Sequence, residues 1–178
     1  MGRMHNIFGG GSRPNTNGLK FERDTSLEEA LINAGYTIKN DKVYDKNDNL
    51  IGLSIPKNNL YKNFLEKQKI DYRKYNSKKW LPDEAFLNFK TKTVYIIEKK
   101  YQQTSGSVDE KLPNCDFKKK EYMKLFNPLK IKVKYIYVFN NWFQNKQYKD
   151  VLEYILDVDC EYYYNAIPFD ALGLKKDD

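Results

Sequence analysis

The chain is poor in histidine and cysteine, and this excludes several kinds of active site. His5 is the only histidine among 178 residues, so hydrolases and zinc sites that need several histidines are ruled out, and a Ser-His-Asp or Cys-His site is not expected. Cys115 and Cys160 are the only cysteines. They cannot form a four-thiolate zinc site, and we expect both to be buried or half-buried reduced thiols. Acid–base and electrostatic work must therefore fall to carboxylates, lysine, arginine or tyrosine.

Long apolar segments are also missing. The chain has no run of about 18 apolar residues of the kind that spans a membrane, and residues 1–11 lack the apolar core of a signal peptide. These two absences predict a cytoplasmic protein. Residues 1–18 are rich in Gly, Asn, Pro and Arg and are predicted to be a flexible N-terminal arm, followed by a single domain over 19–178.

Positive charge is in excess. The formal net charge is +7, which favours a polyanionic partner such as nucleic acid, because cationic side chains release counterions from it. A lysine-rich solvated surface would give the same composition. The stretch 71–80 is basic and interleaved with aromatic residues, a pattern typical of a DNA-facing segment and equally of a solvated face.

The hydrophobic pattern predicts an α/β fold, with a mixed central sheet flanked by helices. Asp24, Thr25 or Ser26 offers an alternative, later start for the first helix. The predicted helices cover 19–34, 57–70, 115–126 and 147–157. The predicted strands cover 36–38, 43–44, 51–53, 83–89, 94–102, 131–139 and 160–167.

The two strands around residue 90 bring charged residues together. If Lys90 and Thr91 form the turn, Asp83 lies opposite Glu98, at a Cβ separation of about 5 Å. Lys100 follows two residues after Glu98 and therefore points to the same face. We expect these three side chains to gather at one end of the hairpin.

Two neighbouring carboxylates repel each other, and a divalent cation with a preference for oxygen ligands, such as Mg²⁺ or Mn²⁺, would relieve this repulsion. The alternative is an ordinary solvated ion pair on a strand. The apolar run 94–97 ends abruptly in Glu98 and Lys100, which favours the edge of a cleft over a surface strand.

These residues resemble the signature of the PD-(D/E)xK nuclease superfamily, and within it the Type II restriction endonucleases. The matching elements, in chain order, are Pro82-Asp83, Glu98-Lys99-Lys100 and Gln102, with a weaker likeness at Asn17–Glu22 and at Gly106–Leu112. The central similarity covers residues 82–143. The resemblance implies a restriction-endonuclease-like core.

The resemblance also implies roles for individual residues. Asp83, Glu98 and the backbone carbonyl of Lys99 would bind the metal, expected to be Mg²⁺ with Mn²⁺ as a substitute, and Lys100 would be the catalytic lysine. Glu22 is a candidate accessory ligand, with an ordinary helix-surface acid as its alternative. Gln102 is a candidate partner of the ligand residues and not of the metal itself. The alternative is that Gln102 is an ordinary hydrogen-bonding strand residue.

The function expected from this pattern is Mg²⁺-dependent hydrolysis of double-stranded DNA, sequence-specific and by a homodimer, because two symmetric sites are needed to cut both strands. A structure-selective nuclease such as a junction resolvase would use the same site. A basic DNA-binding module without catalysis is the third alternative. The aromatic runs 137–143 and 162–164 are expected to be core rather than base-stacking surface.

Overall fold

The fold is a seven-stranded mixed sheet with helices on both faces, described by a computed structural model for residues 16–57, 59–104, 106 and 108–174. The strands lie in chain order across the sheet. Neighbours from β1 to β5 are antiparallel, and β5, β6 and β7 are parallel. The bounds are Thr37–Lys39 (β1), Lys42–Tyr44 (β2), Leu50–Pro56 (β3), Glu84–Asn88 (β4), Thr93–Lys100 (β5), Lys132–Phe139 (β6) and Glu161–Tyr164 (β7). The predicted α/β class with a mixed central sheet is confirmed.

The helices cover the two faces of the sheet unequally. The α-helices are Thr16–Asp24 (α1), Leu27–Asn33 (α2), Cys115–Phe126 (α3) and Lys149–Asp157 (α4), and Leu60–Leu65 forms a π-helix. The larger hydrophobic core joins α3, α4 and the π-helix to one face, and the smaller core joins α1, α2 and the segment 169–174 to the other. Parallel strands need such crossover helices, and α3 and α4 supply them before β6 and β7.

The first predicted helix is two helices. A single helix over 19–34 was expected, whereas α1 ends at Asp24 and α2 starts at Leu27. Ser26 separates them, because its hydroxyl accepts a hydrogen bond from the backbone N–H of Glu29 and caps α2. Since α1 begins at Thr16, residues 16–18 belong to it and not to the predicted arm; the remainder of that arm, 1–15, lies outside the described residues.

The central hairpin has the register expected from the sequence. Glu84 pairs with Ile97 and Asn88 pairs with Thr93, which places Asp83 opposite Glu98. The connection is longer than the predicted two-residue turn, since four residues, 89–92, lie between the end of β4 and the start of β5. The side chain of Asn88 closes this loop by accepting hydrogen bonds from the backbone N–H groups of Lys90 and Thr91.

Two further elements are shorter than predicted. The helix expected over 57–70 is reduced to the π-helix Leu60–Leu65, and the left-handed backbone of Lys69 (φ 62°) stops any continuation. The strand expected over 160–167 ends at Tyr164 because Asn165 is also left-handed (φ 63°). The helix predicted over 115–126 has the bounds expected of it.

The segment Gly106–Leu112 is described in part. Ser107 lies outside the described residues, and Asp109–Asn114 forms a 3₁₀ helix that continues directly into α3. Both cysteines are buried free thiols, as expected. In the part of the chain that the structure describes, no helix combines the length and the apolar character needed to cross a membrane.

Candidate active site

The candidate site lies where β5 ends and β4 begins. Glu98 and Lys100 are two residues apart on β5 and share one face of the sheet, which is the face covered by α3. Lys99 points to the opposite face. The three sequence-predicted residues Asp83, Glu98 and Lys100 are therefore placed at the same edge by the hairpin register and by strand alternation.

Glu98 is a buried carboxylate held between two ammonium groups. Its side chain is 6% exposed, one oxygen lies 2.9 Å from Lys100 Nζ, and the other lies 3.1 Å from Lys118 Nζ. A carboxylate removed from water in this way needs compensating charge. The two lysines supply that charge.

Asp83 is joined to the end of β5 through the backbone. Its Oδ2 accepts a hydrogen bond of 2.7 Å from the N–H of Lys99. Burial raises the pKa of the Asp83 carboxyl, the Lys100 ammonium and the Lys99 N–H counteract this, and the nearby carboxylates of Glu98 and Glu22 raise it further. Asp83 is therefore a poorly solvated acid in an acidic neighbourhood, where a cation would be stabilised.

The side chain of Lys99 lies on the opposite face of the sheet, which α1 and α2 cover. Its ammonium is 3.1 Å from Glu84 Oε2 and donates to the backbone oxygen of Glu22 at 2.9 Å. The Glu84 carboxylate in turn accepts from the N–H of Leu27, at 3.2 Å. This buried network fastens α1 and α2 to the strands that carry the site.

The donor set fits a hard divalent cation. No cluster of three or more His, Cys, Asp or Glu side chains suited to a metal occurs among the described residues, but Mg²⁺ is commonly held by one or two carboxylates and completes its shell with water and substrate phosphate. The N–H and C=O of one strand residue point to the same side. Because the N–H of Lys99 points to Asp83, the Lys99 carbonyl lies on that side too and could supply a third oxygen ligand.

The two accessory candidates differ in their surroundings. The side chain of Glu22, on α1, is 41% exposed, and its carboxylate lies 3.2 Å from Lys57 Nζ. The negative charge of Glu22 also raises the pKa of Asp83. Gln102 is buried, and neither end of its side-chain amide has a hydrogen-bond partner among the described residues. Its backbone is bound on both sides by Asn140, which fixes the exit from β5 to the end of β6.

Lys118 is a residue of the site that the sequence pattern did not predict. It lies on α3 with Tyr122 and Leu125, four and seven residues later, and both of these are buried. Residues at this spacing share one helix face. The helical period was therefore the signal that Lys118 faces the sheet.

The aromatic runs belong mainly to the core, as expected. Tyr137, Phe139 and Phe143 are buried and pack in sequence, with ring centroids 5.2 Å and 4.5 Å apart. Lys100 Nζ lies 6.0 Å from the Tyr137 ring, so this stack also forms the apolar floor beside the catalytic candidate.

A comparison with protein families decides the assignment. The model of the PD-(D/E)XK nuclease superfamily domain matches residues 24–127, which is more than half of the chain. The chain belongs to the PD-(D/E)XK nuclease superfamily. The match includes Asp83, Glu98, Lys100 and Lys118, whereas Glu22 precedes it. No curated protein and no solved structure matches the chain.

Membership of this superfamily has direct chemical consequences. The protein is a nuclease, its substrate is nucleic acid, and nucleases of this superfamily generally use divalent metals. The net charge of +7 agrees with a polyanionic substrate.

Proposed function

We propose that this nuclease is a magnesium-dependent endonuclease that hydrolyses phosphodiester bonds of double-stranded DNA at specific sequences, as Type II restriction enzymes do. The observation that carries the proposal is the convergence of Asp83, Glu98 and Lys100 at one edge of the sheet, in a chain of the PD-(D/E)XK superfamily.

The proposed metal ligands are the carboxylates of Asp83 and Glu98 and the backbone carbonyl of Lys99, with Glu22 as an accessory ligand. A bound Mg²⁺ would polarise the phosphodiester and stabilise charge on the attacking and leaving oxygens. Mn²⁺ has the same preference for oxygen and is expected to replace it. Gln102 is proposed to support this arrangement from behind.

Lys100 is the proposed catalytic lysine. Its side chain is 20% exposed and its ammonium is fixed by Glu98, so Lys100 combines a defined position with access to solvent. In that position it orients the attacking water and stabilises negative charge that develops on the phosphate in the transition state. Lys118 holds the second oxygen of Glu98 and so keeps the carboxylate in place.

Residues 19–178, together with the start of α1 at 16–18, are proposed to form one nuclease domain, since a single sheet carries both hydrophobic cores. A symmetric homodimer would supply two sites for the two strands of a palindromic target. The cytoplasm is the proposed location, in agreement with two free thiols.

Incubation of plasmid and phage DNA with and without magnesium tests the proposal. Discrete, reproducible fragments that require magnesium are expected. Cutting restricted to branched DNA would replace the restriction enzyme with a junction resolvase that uses the same residues. Tight binding without cutting, unchanged by Asp83→Ala, would reduce the chain to a basic DNA-binding module.

A further inference from the structure

An aromatic ring is exposed beside the candidate site. Phe117 lies on α3 directly before Lys118, and 52% of it is exposed. Its ring meets the indole of Trp80 edge to face, with centroids 5.5 Å apart and an interplanar angle of 81°. We call Phe117 and Trp80 the aromatic shelf.

The shelf is held rigidly from behind. The backbone carbonyl of Trp80 accepts hydrogen bonds of 2.9 Å from the hydroxyls of both Tyr61 and Tyr122, and the backbone N–H of Trp80 donates to the Tyr61 hydroxyl at 2.9 Å. Tyr61 and Tyr122 are themselves buried. These hydrogen bonds fix the backbone of Trp80 without a ligand, so less conformational entropy would be lost on binding.

The shelf adjoins the candidate site on two sides. Trp80 precedes Asp83 by three residues in a segment without regular secondary structure, and Lys118, next to Phe117, contacts Glu98. A DNA strand with one phosphate at Asp83 and Glu98 would have a neighbouring base close to the aromatic shelf.

Two lysines lie near the aromatic shelf. Lys78 Nζ lies 3.9 Å from the centroid of the Trp80 indole, and Lys118 follows Phe117. Asp116, which precedes Phe117, is paired with Lys120 at 2.6 Å. Aromatic faces among cations are the usual surface for single-stranded nucleic acid, where bases stack on rings and phosphates meet ammonium groups.

We propose that Phe117, backed by Trp80, stacks on an unpaired or unstacked nucleobase next to the phosphate held at the candidate site. This inference rests on the proposed function and specifies its substrate as DNA with a base displaced from the stack. A second copy of the chain is the alternative occupant, which sedimentation of the Phe117→Leu variant distinguishes.

Binding without divalent metal tests the inference. Fluorescence anisotropy compares a labelled, fully paired duplex with the same duplex carrying one mismatch, whose bases unstack at lower cost. The wild-type protein is expected to bind the mismatched duplex about tenfold more tightly. Phe117→Leu should remove this preference and Phe117→Tyr should keep it.

The matched control is Phe89→Leu, which changes another exposed phenylalanine, in the hairpin loop at the far end of β4. It should leave the preference unchanged. Equal wild-type affinity for the two duplexes, or a preference that survives Phe117→Leu, overturns the inference. So does sedimentation in which Phe117→Leu dissociates a dimer without affecting DNA binding, since the surface would then be a subunit contact.

Cleavage of the same duplexes with magnesium separates this inference from the proposed function. Cleavage by a protein without a Phe117-dependent preference contradicts the stacking site alone. A Phe117-dependent preference in a wild-type protein that never cuts DNA contradicts the proposed endonuclease alone.

Discussion

The ammonium group of Lys118 lies 3.1 Å from the carboxylate of Glu98, so α3 contributes a charge to the end of β5. A metal ligated by Glu98 would share that carboxylate with a cation already in place. Because like charges repel, Lys118 is expected to weaken metal binding while it fixes the position of the carboxylate.

Lys118→Met should therefore increase the affinity for Mg²⁺. Removal of one unit charge a few ångströms from a divalent cation at a partly buried site is expected to lower the Kd by about five- to tenfold. Calorimetric titration of the metal measures this. Lys120→Met, on the same helix but paired with Asp116 away from Glu98, is the control; a weaker Mg²⁺ affinity in Lys118→Met would contradict the account.

Asp83→Asn should have the opposite effect. It retains the size of the side chain and an oxygen that can accept from the Lys99 N–H, but it removes the negative charge. Loss of groups that only support metal ligands typically weakens affinity about 10- to 100-fold, so loss of a ligand's charge should weaken it at least as much. The same titration measures the effect, and Glu22→Gln should give a smaller one. An unchanged Kd in Asp83→Asn would remove Asp83 from the ligand set.

The buried ion pair of Glu84 and Lys99 is expected to affect the free energy of unfolding separately from catalysis. The Lys99 side chain is 4% exposed, so Glu84→Leu would leave a buried ammonium without its carboxylate and should destabilise the fold by about 3 kcal/mol. Denaturant unfolding followed by circular dichroism measures this free energy.

The double variant Glu84→Leu/Lys99→Met is the companion to that measurement. Burial raises the pKa of Glu84 even with the Lys99 ammonium beside it, so desolvation of the carboxylate is not fully offset. Replacing both charges should therefore recover the part of the lost stability that comes from the unpaired ammonium, whereas the N–H of Leu27 stays without its Glu84 acceptor. A double variant less stable than Glu84→Leu alone would contradict incomplete compensation of the buried carboxylate.

Gly52 on β3 is expected to tolerate no side chain. A Cβ at this position would lie 2.3 Å from the backbone oxygen of Leu87 on β4, and backbone cannot move aside as a flexible side chain can. Gly52→Ala should destabilise the protein by about 1–3 kcal/mol through overpacking. Gly106→Ala is the control, because its Cβ would meet only the side chain of Gln102, at 3.4 Å. Equal thermal midpoints for both variants would contradict the close approach of β3 and β4.

The central hairpin could be predicted because its signals are local. The apolar runs of β4 and β5 and the polar connection between them predict the hairpin, and its register places Asp83 opposite Glu98. The helix Cys115–Phe126 was predictable for a similar reason, since its apolar residues recur with the helical period.

Other features depend on tertiary packing and were not predictable from the chain alone. The helix break at Thr25–Ser26 is stabilised by Glu84, which accepts from the N–H of Leu27 although it is 57 residues away. The contact of Lys118 with Glu98 requires the docking of α3 onto β5. The pattern of a single sequence predicts which face of a helix is buried, but not which strand that face will contact.

Cleavage and binding by Lys100→Met test the proposed chemistry most directly. The single-turnover rate on a DNA duplex cut by the wild-type protein should fall by about a hundredfold to a thousandfold or more, while the affinity for that duplex, measured without metal, should change little. Lys90→Met, an exposed lysine in the hairpin loop, should cut at the wild-type rate. A Lys100→Met protein that cleaves as fast as the wild type would contradict the assignment of the active site.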